Sequence, residues 1–206
     1  MKWVESLQTL RPGLPLPLIV WEPSPASCQA EHLAEFIEGC RVSDCVSPND
    51  EEAGLLFGAQ PRLNPQTMQL EHDLSDLADS ITSAVKNAGS PLPTVIIRAA
   101  HRGCLVVDNG VKTAIPAYWA VVPQSGQEKV VDTTGAGNSF LGGWMSGHFL
   151  TAGDPVRAAV YGSVAASFTV ERVGVPALTH GAGGVELWNG DVVGERVERL
   201  VALCGL

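Results

Sequence analysis

The chain has 206 residues, 45% hydrophobic and 17% charged, with a formal net charge of −9. That length and apolar content suit one globular domain with a sizeable core. Acidity of this size argues against general binding to nucleic acid or an anionic membrane, since both draw on basic patches.

Five cysteines (Cys28, Cys40, Cys45, Cys104, Cys204) are scattered, with no C-x-x-C pair, and read as reduced thiols. His101 and Cys104 share a turn, but no second ligand pair accompanies them, so zinc is not expected. The first residues lack the apolar core of a secretion signal, and no apolar run is long enough to span a bilayer. The expectation is a soluble, cytoplasmic protein.

Residues 1–17 read as a connector. A short helix fits Lys2–Leu10, and Pro12, Pro15 and Pro17 forbid regular structure after it. The domain expected next, 18–206, opens on Leu18–Trp21, a compact apolar run typical of a buried parallel strand. Gln29–Cys40 has helical spacing, with Leu33, Ala34, Phe36 and Ile37 apolar. Val42–Val46 is a short strand, and S-P-N-D-E-E leads into a helix over Ala53–Phe57. Ser47 or Asn49 can cap that helix, whose acids favour the first turn.

Gly58–Leu70 reads as loop. Leu74–Asn87 is an amphipathic helix, with Leu74, Leu77, Ala78, Ile81, Ala84 and Val85 on one face and Gly89 beyond its end. Thr94–Ile97 is a buried strand. Cys104–Val107 and Val111–Ile115 form an antiparallel pair joined at Asp108-Asn-Gly110. Val121–Gln127 is loop, and Lys129–Asp132 reads as a strand.

Beyond it comes D-T-T-G-A-G-N-S-F, a glycine turn entering a helix. Gly135 and Gly137 let the backbone turn tightly and approach a ligand. Amides of such a turn and of the helix start converge with partial positive charge, the physics of an anion hole. A Rossmann fingerprint fails because Phe140 stands where its third glycine belongs, and a P-loop fails for lack of Gly-Lys-Ser/Thr. In the helix that follows, Ser139, Gly143 and Gly147 are four apart, a spacing that suits close packing. Asp154–Thr169 is a second helix with a small-residue face, Glu171–Ala182 is loop, Val185–Trp188, Asn189-Gly190 and Val192–Val193 suggest a last hairpin or turn, and Glu195–Leu203 is helical. Strands alternating with helices imply a three-layer α/β/α architecture with a mostly parallel sheet. Ligands bind beyond the carboxyl ends of such strands, where Asn49, Arg98 and the glycine turn fall.

The string D-T-T-G-A-G-N-S-F resembles the signature of the pfkB/ribokinase family of carbohydrate kinases, usually D-T-x-G-A-G-D-x-F. The wording W-E-P, P-A-Y and G-N-S-F-L-G-G most resembles a fungal branch of it. The resemblance covers roughly residues 18–200 and implies a ribokinase-like fold. It implies ATP-dependent phosphoryl transfer to a hydroxyl of a sugar-like or nucleoside-like small molecule. Gly135, Ala136 and Gly137 would form the anion hole. Asn138 takes the place of the family's catalytic aspartate. S-P-N-D-E-E matches the family's N-x-x-E motif, so Asn49 and Glu52 would organise Mg²⁺, Glu52 through water. Mg²⁺ prefers oxygen ligands and keeps several waters. Ile97–Gly103 resembles the nucleotide-side loop. Gly103 is retained and Ala100 replaces an earlier glycine, with Arg98, His101 and Arg102 near the phosphates. Ser163 falls near the adenine position, and relatives use Asp132 near a monovalent cation such as K⁺.

Two departures qualify what is implied. The amide of Asn138 cannot accept the proton that an aspartate takes. Relatives are also about half as long again, so the first strands, the lid and the sugar-gripping G-G motif are expected to be missing from the N-terminal side. Exposed sheet edges would favour a homo-oligomer or a partner chain. The alternative to a weakened kinase is a non-catalytic pseudokinase, a nucleotide-binding or protein-interaction scaffold. A generic hydrolase or reductase finds no motif to support it.

Overall fold

The computed structural model describes residues 16–122 and 129–206. The expected helix at Lys2–Leu10, the connector up to residue 15 and the loop from residue 123 to 127 lie outside them. The chain divides into two compact units, Met1–Ile96 and Ile97–Leu206.

In the first unit, β1 (Val20–Trp21) leads to α1 (Leu33–Val42), then β2 (Cys45–Val46) and α2 (Asp50–Phe57). A small hairpin follows, β3 (Arg62–Asn64) and β4 (Gln69–Glu71), then α3 (Leu74–Asn87) and β5 (Thr94–Arg98), which runs on into the second unit. β1, β2 and β5 pair in parallel, with Val20 opposite Cys45 and Cys45 opposite Thr94. Cys45, Val46, Val95 and Ile96 are fully buried, which is why these strands read as unbroken apolar runs. Strand β1 begins only at Val20, because the Ile19 amide is taken by the Asp44 carboxylate at 2.7 Å. Val42 ends α1 rather than opening β2. Gly39 leaves room for the ring of Trp21, since a Cβ there would collide with it.

Helix α3 has the bounds expected from its periodicity. Asp73 caps it, accepting from the Ser75 and Asp76 amides, and Gly89 follows with φ 66°. The loop expected at Gly58–Leu70 is corrected: it contains the β3–β4 hairpin. Asn64 Oδ1 accepts from the Gln66 and Thr67 amides, and Thr67 and Asn64 both donate to Glu71. Side chains close this turn, so an apolar pattern is not needed.

In the second unit, β6 (Cys104–Asp108) and β7 (Val111–Ile115) form the expected antiparallel pair. Asn109 (φ 49°) and Gly110 (φ 82°) make the turn. Then come α4 (Tyr118–Val121), α5 (Ala136–Leu150) and α6 (Pro155–Thr169). The unit ends with β8 (Leu178–His180), β9 (Glu186–Trp188) and α7 (Val193–Cys204). Helices α5 and α6 pack closely through the small residues noted in the sequence. Added Cβ atoms at Gly143, Gly147 and Gly162 would come within 2.6, 2.7 and 2.8 Å of the facing helix. Trp144 donates from Nε1 to the Pro155 carbonyl at 3.1 Å and closes their far end.

Two expectations are corrected here. Lys129–Asp132 is not a strand. The Val131 and Asp132 amides instead both donate to the Val170 carbonyl, at 2.7 and 3.2 Å. Strand β9 pairs antiparallel with β8, so the last hairpin draws its partner from the stretch read as loop. The turn expected at Asn189-Gly190 does form, with Trp188 and Asp191 exchanging backbone hydrogen bonds at 2.8 and 3.0 Å, whereas Val192 and Val193 open α7 instead of extending a strand.

Candidate functional site

The glycine turn is built by Asp132, Thr133, Thr134 and Gly135. The Asp132 carboxylate accepts the Thr134 amide at 2.9 Å, an Asx turn. This backbone hydrogen bond, with a second from the Thr134 side chain, holds the carboxyl below the usual carboxylate range. The Ala136 amide donates to the Thr133 carbonyl at 3.1 Å. Gly135 then enters α5 at φ 81° and ψ −3°, a left-handed conformation that other residues adopt at a cost.

No side chain caps α5. By contrast Asn49, Asp73 and Asp154 cap α2, α3 and α6. Of the residues expected to form an anion hole, Ala136 has its amide spent inside the turn. The amides of Gly137 and Asn138 have no backbone acceptor among the described residues. Asn138 is solvent-exposed in the first turn. The result is an open helix N-terminus suited to an anion.

Arg98 ends β5; burial pushes the neighbouring Cys104 thiol up, and the Arg98 charge offsets only part of that rise. Gly103 (φ 84°) closes the short turn over Ala100–Arg102. Only glycine fits there, because a Cβ would meet the Ile115 carbonyl oxygen. Ala100, in place of a glycine, itself takes φ 47°. The hydroxyl of Ser163 is buried and donates to the Pro116 carbonyl at 2.9 Å, so its hydrogen is already committed.

Asn49 and Glu52 belong to the first unit. They form a reciprocal capping box. Asn49 Oδ1 accepts the Glu52 amide and Glu52 Oε2 accepts the Asn49 amide, both at 2.7 Å. Glu52 is buried, unusual for a carboxylate. The same pair thus caps α2 and presents oxygen atoms of the kind that Mg²⁺ prefers. Among the described residues no group of three or more His, Cys, Asp or Glu is arranged to hold a metal ion.

One cluster went unnoticed in the sequence. Arg196 of α7 is 3% exposed. Its Nε and one terminal nitrogen reach Asp191 Oδ2 at 3.0 and 2.6 Å, and that nitrogen also lies 2.6 Å from Glu171 Oε1. The guanidinium stands 3.7 Å from the Phe168 ring centre, with Trp119 and Tyr118 near. The spacing of Glu171, Asp191 and Arg196 carries no short motif, so only the fold brings them together.

The open helix start at Gly135 and the N-x-x-E cap of α2 lie within the stretch that a family comparison matches. The model of the pfkB family of carbohydrate kinases matches residues 10–180. The chain belongs to the pfkB carbohydrate kinase family. This pfkB-family chain is 30% identical over 202 residues to an uncharacterised protein of Schizosaccharomyces pombe, covering 88% of the chain and 51% of that protein. It is 29% identical over 196 residues to protein MAK32 of Saccharomyces cerevisiae, covering 92% and 50%. Both relatives are fungal, as the sequence wording implied, and the chain spans about half the length of each.

Ribokinase from Thermotoga maritima matches with a TM-score of 0.54 at 20% identity, over 97% of this chain and 52% of that one. Fructokinase from Vibrio cholerae, solved with fructose, ADP and calcium bound, matches with a TM-score of 0.51 at 17% identity, over 75% and 45%. At these identities the likeness shows the fold, which is ribokinase-like α/β as expected. No helix among the described residues is long and apolar enough to cross a membrane.

Proposed function

We propose that this pfkB-family chain binds ATP with Mg²⁺ and takes part in phosphoryl transfer to a hydroxyl of a sugar-like or nucleoside-like molecule. The open N-terminus of α5 carries the proposal, because a glycine-led helix with no side-chain cap is suited to stabilising negative charge on a phosphoryl group. In this reading the Gly137 and Asn138 amides meet that charge, while Gly135 and Ala136 shape the turn. Asn49 and Glu52 organise Mg²⁺ through water, which would neutralise phosphate charge when bound. Arg98 and Gly103 serve the nucleotide side, and Ser163 shapes the adenine side as a packed residue rather than a donor. Asp132 supplies a carboxylate for a monovalent cation such as K⁺.

Asn138 decides how much chemistry remains. As an amide it positions a hydroxyl by hydrogen bonding but takes no proton, and losing a general base commonly costs about 10²–10⁴-fold. Positioning and electrostatics carry most phosphoryl transfer, so weak turnover is compatible with the site. The same residue favours a second reading, a non-catalytic nucleotide-binding scaffold.

Calorimetric titration with Mg-ATP tests the first step. Glu52→Gln is the informative variant, since glutamine keeps the capping box and removes the charge. Saturable binding weakened by Glu52→Gln supports the metal role; no binding by the folded chain refutes the kinase reading. Asn138→Asp, assayed by phosphate transfer from ATP to sugars and nucleosides, then separates the two readings. A gain of about 10²-fold or more marks a kinase lacking only its base, and no gain points to a binding role or to the N-terminal segments expected to be missing.

A further inference from the structure

Residues Ser167–Glu171, the end of α6 and the step beyond it, serve two sets of neighbours. Towards the glycine turn, the Val170 carbonyl accepts the Val131 and Asp132 amides, and Thr169 donates to Ser139 in the first turn of α5 at 2.7 Å. In the other direction, Arg196 donates to Ser167 Oγ at 2.9 Å, faces the Phe168 ring and pairs with Glu171. Asn189 strengthens the same grip, donating to the Phe168 carbonyl and to Glu171 Oε2, both at 2.8 Å. Val170 therefore sits between two residues held by Arg196 and Asn189. Its carbonyl fixes the segment that makes the Asx turn at Asp132 and enters Gly135.

We propose that Arg196 is a positioning residue for the glycine turn, acting through Phe168 and Glu171 on the Val170 carbonyl. Buried behind its three rings, it acts on the turn only through other residues. Guanidinium geometry suits this role, because one planar group meets Ser167, Glu171 and Asp191 together, which an ammonium cannot reproduce. The functional consequence rests on the anion-binding reading of the turn, whereas the positioning stands on the hydrogen bonds alone.

The test is amide hydrogen exchange over residues 129–138, paired with Mg-ATP titration. The variants are Arg196→Met, Arg196→Lys, Glu171→Gln and, as a control, Leu200→Ala. Leu200 is fully buried on the same helix, so its truncation lowers stability without removing a member of the relay. Arg196→Met and Glu171→Gln are expected to speed exchange at Val131 and Asp132 by about fivefold to tenfold over the control. Arg196→Lys should restore part of the protection, and Mg-ATP affinity should fall in the same order. Unchanged exchange in Arg196→Met and Glu171→Gln overturns the proposal, as does equal loosening in Leu200→Ala. If Arg196→Met does not fold, Glu171→Gln decides alone. Local loosening with no Mg-ATP binding by the unaltered chain would sustain the positioning and defeat the anion-binding reading.

Discussion

Gly142 and Gly143 are neighbours in the middle of α5, and replacing each with alanine should move stability in opposite directions. Both substitutions gain about 1 kcal/mol of helix propensity. At Gly142 nothing lies within 4 Å of the added Cβ, so the gain stands. At Gly143 the Cβ would lie 2.6 Å from both the Ala165 Cβ and the Tyr161 carbonyl oxygen, and 3.1 Å from the Gly162 Cα. Two of these three are backbone atoms, so α5 and α6 must separate. Overpacking of this kind costs typically about 1–3 kcal/mol. The net expectation is about 1 kcal/mol of stabilisation for Gly142→Ala and up to about 2 kcal/mol of destabilisation for Gly143→Ala. Thermal unfolding followed by circular dichroism resolves this, since about 1 kcal/mol moves Tm by roughly 2–4 °C in a chain of this size. Equal stabilisation by both variants would refute the close packing of α5 on α6.

Further outcomes follow from local geometry. Asn49→Ala should cost about 0.5–2 kcal/mol in chemical denaturation by uncapping α2, and Glu52→Gln, which keeps an acceptor for the Asn49 amide, should cost less; a reversed order would contradict the capping box. Gly103→Ala should destabilise by more than about 1 kcal/mol, because its Cβ meets a carbonyl oxygen at a positive φ; an unchanged Tm would refute that turn. Burial pushes the Cys28 thiol up to about 11 and those of Cys40 and Cys104 up to about 12, from 9.0. The folded state thus favours the neutral thiol. Its contribution is whole below pH 9 and is lost as pH rises towards 11–12. A Tm flat between pH 9 and 11 would refute their burial. Thiol labelling of the native chain should modify Cys204 first, since the other four are buried.

Much of the fold is legible wherever a local signal suffices. Periodicity and an aspartate cap define α3, Asn109-Gly110 marks the β6–β7 turn, and apolar runs mark β1 and β5. The string around Gly135 carries both the family and the open helix start, because glycine conformation and helix polarity are local properties. Asn49 and Glu52 could be read as a cap or as metal ligands. The structure realises the cap, and the same oxygens are those the proposed Mg²⁺ role would use.

Tertiary structure decided whatever depends on partners distant in sequence. Lys129–Asp132 has the composition of a strand, yet its Val131 and Asp132 amides go to the carbonyl of Val170, far along the chain, so no local pattern could predict it. The β8–β9 pairing depends on how the chain turns between them. The Arg196 cluster joins α4, α6, α7 and the segment before α7. In sequence, Arg196 is an ordinary charge on an amphipathic helix. It becomes buried only because packing places aromatic rings and two carboxylates around it, and a buried charge persists only when so paired.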